Sequence, residues 1–381
     1  MTFSPVSHTD GTPRADTDAS ATLWFVGALP PPLNGQSNCN RAMLEELTGR
    51  GAAIRLHDIG GTSSTKLRGV WRAMRAMLAA KRSDRAYLSV PGQGGVWLFV
   101  PLALILRLRG IAHYVHHHSF RPINLGPMRG MRALVAAGGG RQRHILLSND
   151  MRRRFAALYL NGSADRALSL SNAYLFGPRL ERPGARPERP VTLGHMSVLT
   201  REKGVAYLLD LFADLIARGH DWRLVIAGPC ADPALADALA TAVAAHPGRI
   251  DYRGMVESEG KERFFADIDL FVLPTTLIDE AEPLVMLEAF ARGIDVVAND
   301  TGCIRDRIRT LAHLMTGERT SDRTLIETQV AGNAVDWDAT RRGCVDHARA
   351  IKVLADAEAA AVLPRLVPPS PSFAIDATPV T

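Results

Sequence analysis

From residue 21 onward, short apolar runs rich in β-branched residues alternate with longer stretches in which apolar residues recur every three or four positions. The first pattern suits strands buried on both faces, and the second suits helices that lay one stripe on a sheet. In the first half it predicts strands near 22–27, 53–57, 86–90, 112–116 and 144–147, with helices near 37–50, 67–80, 95–109 and 149–160. The alternation restarts after residue 190, with strands near 191–195, 222–227, 249–253, 269–273 and 294–298. Helices are expected there near 204–218, 232–245, 259–266 and 283–292. At 204–218, Val205, Leu208, Leu209, Phe212, Leu215 and Ile216 make one continuous apolar stripe, and Gly219 follows as a stop. Such layering predicts an α/β fold with parallel strands.

Between the two series lies a proline-rich run, Glu181–Pro190 (ERPGARPERP), with the composition of a linker. The expected division is a flexible leader at 1–20, a first unit at 21–181, a linker at 182–190, a second unit at 191–340, a helix at 341–366 and a flexible tail at 367–381. Composition, at 46% hydrophobic and 22% charged, is that of an ordinary soluble globular protein. The longest apolar run, Val96–Leu106, is interrupted by Pro101 and falls short of the roughly 20 residues that span a bilayer. The polar first twenty residues lack a signal-peptide core and the four cysteines form no CxxC pair, so a cytoplasmic location is expected. Charge adds a feature that the pattern does not show. Ten arginines between Pro101 and Leu160 face one acid, Asp150. A block of that kind suits a phosphorylated substrate, anionic headgroups or nucleic acid, and it also fits codon bias, because only five lysines occur.

The segment Asp279–Ala289 (DEAEPLVMLEA) is the richest in chemistry. It follows the strand at 269–273, at the carboxyl end where open α/β sheets bind ligands. Pro283 suits the first turn of a helix, and Leu284 and Val285 behind it leave N–H groups and a positive dipole end for an anion. Glu280 before that helix and Glu288 within it can grip two hydroxyl-bearing parts of one ligand. The plainer alternative is that Glu280 and Glu282 only complement the helix dipole while Glu288 is a solvated face residue. Lys203 opens the helix after the strand at 191–195, where a phosphate would meet an ammonium and helix N–H groups together. Gly35, after the run Pro30-Pro31-Pro32-Leu33-Asn34, offers close backbone approach at another helix start. His116, His117 and His118 follow one another at a strand end. Alternate residues face opposite ways, so at most two could share a site, and no partner at ligand spacing favours a metal.

These segments resemble the retaining GT-B glycosyltransferases of family 4 (glycosyl transferases group 1), in particular polysaccharide-biosynthesis members. Glu280 to Glu288 is similar to their E-x7-E signature, Glu288–Ala298 to the stretch that follows it, and Asp300–Ile304 to their D-x-GG-I. Gly194–Gly204 looks like their strand, loop and KG segment, and Gly27–Ser37 like their PPxxGG loop, with Gly35 alone where two glycines are common. The resemblance implies two Rossmann-like domains facing across a cleft, with the last helix returning to the first. It implies that Glu280 contacts the donor sugar, Glu288 the ribose and Lys203 the donor diphosphate. One of His116, His117 and His118 would face the sugar across the cleft, and the backbone at Gly254 and Met255 would read the base. Asn172 resembles a turn near the end of the family's first domain. Where many members carry an arginine five residues before the lysine, this chain has Val198; either Arg201 substitutes from another angle or the grip on the diphosphate is weaker. The implied activity moves a sugar from a nucleotide-diphosphate donor to a glycan or lipid-linked acceptor, in cell-surface polysaccharide or glycolipid assembly. It needs no metal or other cofactor and no specific nucleic acid, and with the arginine block it suggests peripheral contact with an anionic membrane on its inner face. An NAD-type oxidoreductase is the first alternative, but no G-x-G-x-x-G follows the first strand. A nucleic-acid binder is the second, and it lacks interleaved aromatics or a known motif.

Overall fold

A computed structural model describes residues 21–31, 35–175 and 186–368. The expected leader, part of the linker and nearly all of the tail lie outside the described residues. The first half forms a parallel sheet of six strands: β1 (Thr22–Gly27), β2 (Ala53–Asp58), β3 (Arg85–Val90), β4 (Ala112–His117), β5 (Gln142–Leu146) and β6 (Ala167–Ser169). Their order is β2-β1-β3-β4-β5-β6. The second half forms another: β7 (Thr192–Met196), β8 (Arg223–Ala227), β9 (Ile250–Tyr252), β10 (Leu270–Leu273), β11 (Asp295–Asn299) and β12 (Leu314–Met315), ordered β12-β11-β10-β7-β8-β9.

The sequence of each strand explains its place. In β1, Trp24 and Val26 point into one helix layer, whereas Leu23 and Phe25 point into the other, and all four are buried. The first layer contains the helices Ser63–Met77, Phe99–Leu108, Arg129–Gly138 and Asn149–Tyr159. The second contains the helix Gly35–Gly49 and the last helix, Trp337–Leu366. In the second sheet, Leu193, Leu224 and Val272 meet the helix Val205–Ala217, while Phe271 and Val296 meet Phe290 and Ile304 on the opposite face. Strand order reverses between β10 and β7, which makes a switch point where the crevice beyond the strand ends is open to a ligand.

Several boundaries differ from expectation for identifiable reasons. The helix expected over 95–109 is a 3₁₀ turn, Gly94–Leu98, followed by the helix Phe99–Leu108. Pro101 has no N–H, so it is accommodated in a first turn but not in mid-helix. Pro283 caps its helix, which starts at Leu284, with φ −69° and ψ 111°. The three-residue β6, the two-residue β12 and the helices Arg129–Gly138 and Arg319–Val335 went unread. The last helix begins at Trp337 and touches both halves. Cys344 joins the core below Phe290, whereas Ile351, Ala355, Val362 and Leu363 pack with Phe25 and Tyr87.

Candidate active site

At the switch point the segments after β7 and β10 are locked together. Lys203 ends a short turn, Arg201–Lys203, and Gly204 follows with φ 77°. A Cβ on Gly204 would lie 2.2 Å from the carbonyl oxygen of Pro274, so glycine permits the turn to rest on the loop that leaves β10. The Thr276 N–H donates to the Glu202 carbonyl at 2.7 Å. From the other side Thr301 Oγ1 donates to the Thr275 carbonyl (3.0 Å) and the Cys303 N–H to that of Ala281 (2.7 Å). Gly302, at φ 61°, lies where a Cβ would be 2.4 Å from the Glu280 carbonyl oxygen.

Held in this way, the buried Glu280 carboxylate accepts from Lys203 Nζ at 2.5 Å and from Thr275 Oγ1 at 3.1 Å, both on Oε2. The pair sits beside His195, which bridges the Val272 carbonyl and Ser197 Oγ at 2.9 Å each. Burial first, with the Lys203 charge adding to it, lowers the His195 pKa to about 4 and keeps the ring neutral. Glu288, on the helix Leu284–Ala291, accepts from Lys261 Nζ at 2.6 Å. Gly254, with φ 62°, and the exposed Met255 follow β9, two strands along the sheet from β7. Arg201 does not join Lys203; its exposed guanidinium pairs with Asp232 at 3.1 Å.

The acids flanking Glu280 reach the first half. Asp279 accepts from Arg121 Nε and a terminal guanidinium nitrogen (2.9 and 2.7 Å), from Ser119 Oγ (2.7 Å) and from Gln93 Nε2 (3.1 Å). Burial alone would raise its pKa, but these bonds and the Arg121 charge bring it below the usual carboxylate value. Glu282 accepts from Ser171 Oγ (2.7 Å), the Asn172 N–H (2.7 Å) and Arg307 Nε (2.6 Å), while Arg307 also donates to the Leu147 carbonyl at 2.8 Å. The sequence gives Glu282 only a place beside the helix dipole and Arg121 only a place in the arginine block, and it assigns no role to Asp279, Arg307 or Lys261. The spelling DEAE, an acid on each side of Glu280, was the one signal for Asp279 and Glu282.

On the first sheet, the three histidines divide as strand alternation requires. His117 turns into the core, where Nε2 meets His144 Nδ1 at 2.9 Å and the ring lies 4.6 Å from that of Phe155. His116 and His118 share the other face with ring centroids 4.1 Å apart, and Nδ1 of His116 meets the Tyr87 hydroxyl at 2.7 Å. Burial keeps all three neutral, lowering the His118 pKa to about 4. Nε2 of both His116 and His118 lacks a hydrogen-bond partner among the described residues. Gly35 begins the helix Gly35–Gly49, and a Cβ there would meet nothing within 4 Å. Gln36 and Asn40 on that helix tie it to Ser89 and to the Ala28 carbonyl, at 3.0 and 2.8 Å. Residues 32–34 of the preceding loop lie outside the described residues. Among the described residues no three His, Cys, Asp or Glu side chains are grouped to hold a metal ion.

Residues 189–325, which carry Lys203, Glu280 and Glu288, match the family model described as Glycosyl transferases group 1. The chain is similar to the solved structure of Anabaena Alr3699/HepE in complex with UDP, with TM-score 0.65 and 15% identity over 90% of this chain and 100% of that one. It is also similar to sucrose-phosphate synthase from Thermosynechococcus elongatus, with TM-score 0.66 and 15% identity over 91% and 97% of the two chains. The pneumococcal O-GlcNAc transferase GtfA, in complex with UDP and GlcNAc, gives TM-score 0.56 and 13% identity over 79% and 60%. No curated protein sequence matches the chain. Two six-stranded parallel sheets flanked by helices make this the GT-B fold, and with the domain at 189–325 the chain is a glycosyltransferase of the GT-B type.

Proposed function

We propose that the protein transfers a sugar, with retention of its anomeric configuration, from a nucleotide-diphosphate donor to a glycan or lipid-linked acceptor in cell-surface polysaccharide or glycolipid assembly. The observation that carries this reading is the buried Lys203–Glu280 pair at the switch point of the second sheet. In it, Lys203 moves its ammonium from Glu280 to the donor diphosphate, and Glu280 is released to accept from hydroxyls of the sugar. The first-turn N–H groups at Leu284 and Val285 face the same phosphates. Glu288 accepts from the ribose, and the backbone at Gly254 and Met255 meets the base. His116 and His118 form a neutral wall on the acceptor side. Transfer breaks the bond between the anomeric carbon and the diphosphate oxygen and forms one to the acceptor oxygen on the same face. The acceptor proton passes to the leaving phosphate. Charge growing on that phosphate is met by a lysine and helix N–H groups already in place, an effect worth about 10²–10³ in rate for a single donor. The reading needs no metal. It includes a cytoplasmic protein with peripheral contact on the inner membrane face, supported by the arginine block; no described helix is long and apolar enough to cross a membrane.

Thermal shift and nucleotide release with UDP-, GDP-, ADP- and dTDP-sugars test it, beginning with UDP because two of the neighbours named above hold it. One nucleotide family should stabilise the wild type, and Lys203→Ala and Glu288→Ala should lose that stabilisation. Turnover and donor affinity both intact in Glu288→Ala would overturn the donor-site assignment.

A further inference from the structure

The helices Ser63–Met77, Phe99–Leu108 and Arg129–Gly138 lie side by side on one face of the first sheet, with Val70, Met77, Leu102 and Leu134 turned inward. Their outer surface combines two kinds of side chain. Leu67 and Trp71 on the first helix and Leu78 at its C-cap stand 60%, 57% and 58% exposed along one line, four and seven residues apart. Leu104 and Leu108 stand 44% and 77% exposed, four apart, on the second helix. Single exposed leucines need no explanation, but aligned rows on neighbouring helices form a patch. Beside the first row runs a second line, Arg68, Arg72 and Arg75, four and three residues apart and all exposed. None of these three arginines has an ion-pair partner among the described residues. No acid occurs on any of the three helices. Between Ile59 and Asn149 the one acid is Asp84, against fourteen lysines and arginines. Asp84 is buried, with its carboxylate taken up by the Thr22 N–H and Trp24 Nε1 at 2.9 Å each.

We propose that this layer is a docking face for a bilayer containing anionic phospholipid. Leu67, Trp71 and Leu78 enter the boundary between headgroups and acyl chains, and Arg68, Arg72 and Arg75 meet the lipid phosphates. The charge favours one occupant. A second copy of the face would set cation against cation, and a nucleic acid would engage the arginines but leave the leucine rows against water. An anionic interface satisfies both, with aliphatic stems below and guanidinium heads at the phosphates. The helices Ser63–Met77 and Phe99–Leu108 start beyond the carboxyl ends of β2 and β3, so Leu67 lies toward the cleft end of the layer. Docking there sets the acceptor side of the cleft near the lipid. The proposal rests on the peripheral-membrane part of the function proposed above and names the surface that carries it.

The test is co-sedimentation of the full chain with vesicles of phosphatidylglycerol and phosphatidylcholine, and with phosphatidylcholine alone. Wild type should bind the anionic vesicles and lose about tenfold in affinity when NaCl is raised to about 0.5 M. Arg68→Glu with Arg72→Glu and Arg75→Glu should abolish binding, and Leu67→Ser with Trp71→Ser should weaken it about tenfold or more. These positions are exposed and lie outside the donor site, so melting temperature and donor-induced stabilisation should be unchanged in both variants. Wild type binding while both variants bind equally well overturns the surface and leaves the membrane reading standing. No binding by wild type overturns both, whereas donor stabilisation in the same sample still supports the transferase reading. Equal loss of binding to a mixed-sequence oligonucleotide in the arginine variant, with the leucine–tryptophan variant binding vesicles like wild type, replaces lipid with nucleic acid.

Discussion

The loop after β10 and the end of β4 come from opposite sheets, and they handle polarity in opposite ways. On the second sheet each acid of the site has a cation or a set of donors: Glu280 has Lys203, Glu288 has Lys261, Asp279 has Arg121 and Glu282 has Arg307. On the first sheet the polar groups are histidines that burial has stripped of charge, and several ring nitrogens lack a partner among the described residues. The contrast follows from what each side must tolerate. A carboxylate cannot be buried without its counter-charge, whereas an imidazole avoids the cost by staying neutral. Under the proposed function, the second sheet would supply preformed charges for a diphosphate and a sugar to exchange into, and the first a wall that does not compete for them.

The largest effect should come from removing one side of the most buried pair. Arg307→Ala leaves Glu282 buried and without its cation, and should cost about 3–5 kcal/mol in urea unfolding. Glu282→Gln should cost less, because its neutral side chain can still accept from Ser171 and the Asn172 N–H. Equal small losses in both would mean that the pair contributes no more than its hydrogen bonds.

The histidines sharpen the comparison through pH. Burial lowers the folded pKa of His117 to about 3 and of His118 to about 4, below the ordinary value of about 6.5. Between those values the unfolded chain binds more protons than the folded one. Stability should be full above about pH 6.5 and fall toward pH 4, by about 1.4 kcal/mol per pH unit for each histidine kept neutral. His117→Phe should make melting temperature against pH less steep in that window; an unchanged slope would place the acid sensitivity elsewhere.

Asp279→Asn keeps the shape of the contact across the cleft but removes its charge. Donor KM should rise several-fold with a smaller change in kcat, checked by steady-state kinetics. An effect confined to kcat would speak against a role in closing the cleft over the donor. The smallest effect is expected at Lys261. Lys261→Met frees Glu288 without touching Lys203, so donor affinity should change by about threefold or less while turnover holds, and isothermal titration with the free nucleotide would read it. Loss of turnover there would make Lys261 part of the chemistry.

What could be read in the sequence was local. Lys203 and Glu280 each lie just beyond a strand whose apolar run and following helix are plain in the pattern, and both strands meet at the switch point. The contacts of Asp279 and Glu282 with the first half were not readable, because Asp279 and Arg121 are 158 positions apart and Glu282 and Asn172 are 110 apart. No spacing rule links residues on different sheets. Alternation could separate His117 from His116 and His118, but not say which face held the core; the contacts with Phe155 and Tyr87 decide that. Glu288 had its partner 27 residues earlier on a neighbouring helix, where helical periodicity says nothing about who sits opposite. The arginine block at 101–160 was visible as charge. The surface proposed above uses other arginines, Arg68, Arg72 and Arg75, and only the helix layer places them beside Leu67 and Trp71.

The last helix has a mechanical consequence. Its first part is fastened to the second half, where His347 Nε2 meets the Arg307 carbonyl at 2.8 Å, and its later part to the first, where Glu358 accepts from the Ser171 N–H at 2.9 Å. One continuous helix, Trp337–Leu366, is thus fastened to both sheets. Together with the bonds from Glu282 to Ser171 and the Asn172 N–H and from Arg307 to the Leu147 carbonyl, the helix splints one half against the other along its length. Under the proposed function, that splint would hold Lys203 and the histidine face at a fixed relative orientation from one turnover to the next.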